Sequence, residues 1–202
     1  AGLTRFGASL VQALNTVGIA IGVSHCSEQT AQDAAKISCA PVLLTHANLR
    51  AVDTRARNKT DETLRAVADG GGVIGISIHG FMNWDGTPEH PPSLENFVRH
   101  VRHAVRVAGI EHVGIGTDFA AVRDEAVAQS ILDMSRALYP ESGGAYASAF
   151  GNTASARYPA ATPTPRQFPL IIEALERACF TPAEVDAIVG RNFLRAFGEA
   201  WK

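Results

Sequence analysis

Cysteine is scarce in this chain, and the three present, Cys26, Cys39 and Cys179, are an odd number without CxxC spacing. That excludes a disulfide framework and a zinc knuckle, and leaves reduced, partly buried thiols as the reading. Charge of one sign is lacking too: 18 Lys and Arg face 20 Asp and Glu, with no basic stripe. Nucleic acid and anionic membrane surfaces are therefore poor partners. No long apolar run exists; the longest, Val17 to Val23, falls far short of the about 20 residues a membrane-spanning helix needs. No signal-peptide pattern is visible. Because the chain opens Ala1-Gly2-Leu3-Thr4 rather than with Met, the compartment stays open, the cytoplasm being the expected setting. GxSxG, P-loop and GxGxxG patterns are also missing, so elbow-type serine hydrolases, NTPases and dinucleotide enzymes find no support.

What is present is a chain of 202 residues, 46% apolar, long enough for one domain with a sizeable core. Leu3, Phe6, Leu10, Val11 and Leu14 have helical spacing and stop before Gly18. The run Gly18 to Val23 suits a buried parallel strand ending at Ser24-His25, and Ser27 caps a helix over 28–37. The unit repeats. Val42 to Thr45 forms a strand ending at His46, and a helix over 61–68 stops at three glycines. Val73 to Ile78 forms a strand ending at His79, and Ser93 opens a long amphipathic helix. A fourth strand, His112 to Thr117, ends at Asp118. Four strand–helix units predict right-handed parallel crossovers, either half of a (β/α) barrel or an open doubly wound sheet. The segment 139–167, rich in Pro, Gly, Ala and Ser and holding Tyr139, Tyr146 and Tyr158, is expected to be an irregular insertion or a lid. Two helices close the chain, the second opening on the capping box Thr181-Pro182-Ala183-Glu184.

The polar residues fall where parallel sheets build active sites, at the C-terminal ends of strands. His25 and His46 stand one strand–helix–strand step apart, and adjacent strands lie about 4.8 Å apart, so both imidazoles can reach one metal ion. His79 is a weaker candidate ligand, and Cys26, His100 and His103 are weaker still. Asp118 follows Gly114-Ile115-Gly116-Thr117, small residues that let the backbone approach closely. Its carboxylate suits proton transfer to a leaving amine, a hold on a substrate ammonium, or simply a loop cap. Arg57 offers a fork for a carboxylate, or is a surface arginine. Asn58-Lys59-Thr60 matches the glycosylation sequon, a pattern common by chance.

Together, Gly2-Leu3-Thr4-Arg5-Phe6-Gly7, Val23-Ser24-His25, Thr45-His46, Arg57-Asn58, Gly116-Thr117-Asp118-Phe119 and Gly190-Arg191-Asn192-Phe193-Leu194-Arg195 resemble the membrane (renal) dipeptidase family, within the metal-dependent amidohydrolases. The resemblance covers nearly the whole chain and corresponds to the family's C-terminal half. It implies the last four strand–helix units of a TIM-type (β/α) barrel plus C-terminal helices. It implies that His25 and His46 bind the second Zn2+ of a two-zinc site, that Arg57 binds the dipeptide carboxylate and that Asp118 contacts substrate near the scissile bond. The activity implied is zinc-dependent hydrolysis of dipeptides.

This sequence also departs from the family pattern. The His-x-Asp motif and the bridging Glu of the family have no counterpart here. Gly22 stands where the family commonly has Asp, and Asp118-Phe119-Ala120-Ala121 replaces Asp-Phe-Asp-Gly. Half a barrel leaves strand edges and an inner face uncovered, so a missing N-terminal half or a partner chain, a second copy included, is expected to complete it. The alternatives are a truncated non-catalytic remnant that binds or self-associates, and an amidohydrolase acting on a non-peptide amide or lactone.

Overall fold

The structure is a computed structural model that describes residues 2–83, 91–119, 124–138 and 157–201. Four parallel strands, β1 (Ile21–Gly22), β2 (Val42–Ala47), β3 (Val73–Ile76) and β4 (Val113–Ile115), form one sheet in the order β1-β2-β3-β4. Sequential order decides between the two architectures left open by the sequence. A doubly wound sheet reverses direction at a switch point and carries helices on both faces. An unreversed run of right-handed crossovers places all its helices on one face, as in a (β/α) barrel. The chain is a partial barrel.

The helices follow from local signals. Helix α1 (Arg5–Thr16) is capped by Thr4, and α2 (Glu28–Ile37) by Ser27. Helix α3 (Asp61–Asp69) starts with two acidic residues at its positive end and stops at Gly70. After the short α4 (Gly80–Asn83), α5 (Leu94–Ala108) is capped by Ser93. Then come α6 (Glu125–Leu138), α7 (Phe168–Arg177) and α8 (Pro182–Asp186), the last with the expected capping box at Thr181 and Glu184. A π-type turn over Ala187–Arg191 leads into α9 (Asn192–Ala200).

Three strands are shorter than the sequence suggests, each for a local reason. Gly18 takes a φ of 71° and Ile19 N–H bonds back to Leu14 O, so the chain is still closing α1 where the first strand was expected. Pairing in β3 stops at Ile76 because the Asn48 amide takes both the N–H and the C=O of Ser77. His112 belongs to a 3-10 turn, so the last strand starts at Val113. Of the segment 139–167, residues 139–156 lie outside the described residues; the rest ends in a capped turn over Pro165–Gln167.

The two faces of the sheet are covered differently. On the helix side, Val42, Leu44, Ile74, Ile76 and Val113 pack with Ala31, Leu64, Val67, Phe97, Val101, Ile171 and Leu175 in the main core. On the inner side, Leu43 and Val73 meet Phe193, Ala196 and Phe197 of α9. A Cβ on Gly114 would lie 2.4 Å from the Phe193 ring, so only glycine admits the plug there. Asn192 Nδ2 donates to Ile110 O and Val113 O, and Arg195 to Gly71 O and Glu111 O, fixing α9 at the N-terminal ends of β3 and β4. One end of the half-barrel is thereby stopped up, and polar chemistry is left to the other. Among the described residues no helix is long and apolar enough to cross a membrane.

Candidate functional site

At the open end the strands deliver His25, His46 and Asp118 to a common rim. His46 lies within β2, and His25 sits on the turn just past β1. Their Nε2 atoms face each other at 2.8 Å, with ring centroids 4.9 Å apart. Burial first, then the Arg57 charge, lowers the pKa of His25, and Lys59 adds to this against the opposing pull of Asp118. Burial likewise lowers that of His46, with Asp118 opposing and Arg57 and His25 reinforcing. Both rings are therefore neutral at pH 7, the form that carries a lone pair for a metal.

A frame of hydroxyls orients His46. Ser24 Oγ and Thr45 Oγ1 are 3.0 Å apart, Ser24 Oγ accepts from the His46 N–H, and Thr45 Oγ1 contacts His46 Nδ1 at 3.0 Å. With the proton on Nδ1 donated to Thr45, the lone pair of His46 lies on Nε2, the nitrogen that faces His25. Two imidazoles on one tetrahedral Zn2+ with bonds of about 2.0–2.1 Å have nitrogens roughly 3.3 Å apart. A small ring rotation separates that from the observed 2.8 Å, so the pair fits two ligands of a zinc ion. No group of three or more His, Cys, Asp or Glu able to hold a metal occurs among the described residues.

Arg57 comes from the loop after β2. Its Nη1 donates to Ser24 O at 2.7 Å, on the residue before His25. Its Nη2 is buried without a hydrogen-bond partner among the described residues. A buried, unsatisfied guanidinium nitrogen is costly, and a carboxylate is its natural complement. Burial lowers the Arg57 pKa, and Asp118 opposes that shift.

Asp118 is exposed at the end of β4 with φ of 55°, in the left-handed region that non-glycine residues seldom adopt. Gly116 makes its approach feasible: a Cβ there would lie 2.0 Å from Thr45 O and 2.9 Å from His46 Cα. The small residues of β4 thus let its end close onto the end of β2. The Asp118 charge is felt by His25, His46, His79 and Arg57 alike.

Of the remaining candidates, His79 lies near the rim, where the Asp118 and His46 charges reach it, and the others are tied to other parts of the fold. His79 is buried, its ring edge-on to Tyr158 at 5.3 Å, and burial brings its pKa down to about 4. His100 is buried in α5, where Nδ1 accepts from Leu49 N–H, and His103 Nε2 contacts Asp61 at 2.7 Å. Cys26 is half-buried, and Asn58 is fully buried with its amide donating to Asp53 O and Met82 O, which excludes it as a glycosylation acceptor. One rim residue was not singled out from sequence. Tyr158, from within the segment 139–167, donates to the Asp118 carbonyl at 2.7 Å and packs on Phe119. Only its place in a Tyr-containing irregular segment hinted at that.

Comparison with known proteins places the chain in a family and supports its fold. Residues 1–137 match the family described as membrane dipeptidase (peptidase family M19). An uncharacterized protein encoded in the pqqA 5' region of Klebsiella pneumoniae is 35% identical over 122 residues, 60% of this chain and 45% of its own length. An uncharacterized dipeptidase of Schizosaccharomyces pombe is 25% identical over 197 residues, covering 97% of this chain and 39% of its own. An amidohydrolase structure from Pseudomonas aeruginosa superposes on all of this chain and 58% of its own, with a TM-score of 0.80 at 22% identity. The chain therefore matches less than half the length of the two curated relatives. With residues 1–137, about two-thirds of its sequence, matching the family, this chain belongs to the membrane dipeptidase family.

Proposed function

We propose that this chain is the C-terminal portion of a dipeptidase barrel and supplies half of a zinc-dependent site that hydrolyses dipeptides. The observation that carries the reading is the Nε2–Nε2 pair of His25 and His46 beside the unpartnered Nη2 of Arg57. Two neutral imidazoles suit a metal, and a buried guanidinium nitrogen on a side chain anchored at Ser24 O suits a substrate carboxylate, which in a dipeptide lies one residue from the scissile bond.

A zinc ion at such a site lowers the pKa of bound water and polarises the scissile carbonyl. His25 and His46 would hold it, with Thr45 fixing the tautomer of His46. Arg57 would draw the substrate carboxylate to Nη2 while Nη1 stays on Ser24 O, orienting the peptide bond over the histidines. Asp118, exposed at the rim, would accept a proton from the attacking water and return it to the leaving amine. Water adds across the C–N bond, and the proton ends on nitrogen. The ligands missing from this chain would come from the family's N-terminal half, on the same chain's extension or on a partner.

The test is kinetic, on the assembled zinc enzyme. Arg57→Met is expected to raise KM for a dipeptide by about 10–100-fold, equivalent to one charge-assisted hydrogen-bond set. It should leave the already poor KM for the corresponding dipeptide amide nearly unchanged. An unaltered dipeptide KM would remove the carboxylate reading and favour an amidohydrolase of non-peptide amides or lactones.

A further inference from the structure

Lys59 lies 5% exposed in the loop after β2, and its Nζ donates to Cys26 O at 2.6 Å. A buried ammonium is destabilising relative to an apolar chain of the same length, so its presence calls for a reason. The main chain of Lys59 is tied to the extension of β2: its N–H donates to Asn48 O, its carbonyl accepts from Arg50 N–H, and it bridges Leu49 in parallel register. Its side chain crosses to the turn that carries His25. Lys59 is therefore a strut between the strand holding His46 and the turn holding His25. Arg57 grips Ser24 O on one side of His25, and Lys59 grips Cys26 O on the other. Arg57, with a ligand to bind, divides its donors between turn and substrate. The described hydrogen bond of the Lys59 ammonium goes to the turn. Glu28, the first residue of α2, ties the same two segments together lower down, accepting from Thr60 N–H, Thr60 Oγ1, Thr63 Oγ1 and Arg50. The turn is anchored at its base by Glu28 and at its tip by Lys59.

We infer that Lys59 is a positioning residue that sets the separation and orientation of the His25 and His46 imidazoles. The inference deepens the reading of those histidines as metal ligands and in its second half rests on it. Two readouts on the 202-residue protein keep the two apart: in metal-free protein, the nuclear Overhauser contact between the His25 and His46 ring protons; with Co2+ as the probe, its dissociation constant and visible absorption. Lys59→Met is expected to lose the ring contact and weaken Co2+ binding by about 10–100-fold, the range for residues that hold a metal ligand in place. Lys59→Arg, which restores a cationic donor, is expected to recover both, which a merely space-filling role would not produce. If Lys59→Met does not fold, Lys59→Gln, too short to reach Cys26 O, carries the same expectation. A folded Lys59→Met protein with the ring contact and Co2+ affinity of the parent overturns the inference. Loss of the ring contact in the variant, in a protein whose parent form binds no Co2+, upholds the strut and removes the metal reading instead.

Discussion

A buried imidazole makes stability depend on acid. His100 is fully buried with a pKa down to about 3, and His79 is nearly so at about 4, both because burial disfavours the charged ring. In the unfolded chain each titrates near 6.5, so below that pH the unfolded state binds more protons than the folded one. Their contribution is complete above pH 6.5 and is lost as pH falls towards 4, at up to about 1.4 kcal/mol per pH unit for each histidine. Urea midpoints at pH 7.5, 6 and 5 are expected to fall in that order. His100→Gln, which keeps an acceptor for Leu49 N–H without a titrating ring, should flatten the profile. A profile unchanged by the substitution would show that His100 is not the group responsible. The sequence put His25, His46 and Asp118 on strand ends, since periodicity locates strand ends. It could not show that His100 answers Leu49, that Lys59 reaches Cys26 or that Tyr158 holds Asp118, because these partners are 51, 33 and 40 residues apart.

Among the elements, β4 has the least freedom. The glycines in it and just past it serve different neighbours: Gly114 receives the Phe193 ring, and Gly116 lets the chain beyond the strand approach Thr45 O. Gly116→Ala is expected to destabilise by about 1–3 kcal/mol through overpacking against backbone that cannot move aside. Gly198→Ala in α9, where a Cβ meets nothing within 4 Å, should be neutral or stabilising by up to about 1 kcal/mol. Chemical denaturation of the two variants checks the contrast, and equal effects would contradict it. The strand–helix alternation was legible because parallel strands read as apolar runs and Ser27 and Ser93 cap the helices that follow two of them. The strand lengths were not, because Asn48 and Gly18 end the strands by hydrogen bonding and by backbone conformation rather than by polarity. Helix α1 shows the same limit. Phe6 and Leu10 share its apolar spacing yet are exposed, while Val11 and Asn15 face inwards.

At the scale of the molecule, the sheet ends in β1 on one side and β4 on the other, each pairing with one neighbour among the described strands. Among the described residues, α9 covers its inner face at the closed end. Exposed apolar residues lie on α1 at Phe6 and Leu10 and on α6 at Val127, Ile131, Met134 and Leu138. Among the described residues, open edges and a partly covered face leave room for further strands. Under the proposed function, a complement bringing such strands would also bring the remaining ligands. The most direct test is a zinc titration of the 202-residue chain alone and after addition of the N-terminal half of a family member, with dipeptide hydrolysis followed in parallel. The account predicts at most one weakly bound zinc and no turnover from the chain alone, then two zincs and turnover from the pair, both abolished by His46→Ala. Two tightly bound zincs with turnover from the chain alone would contradict it.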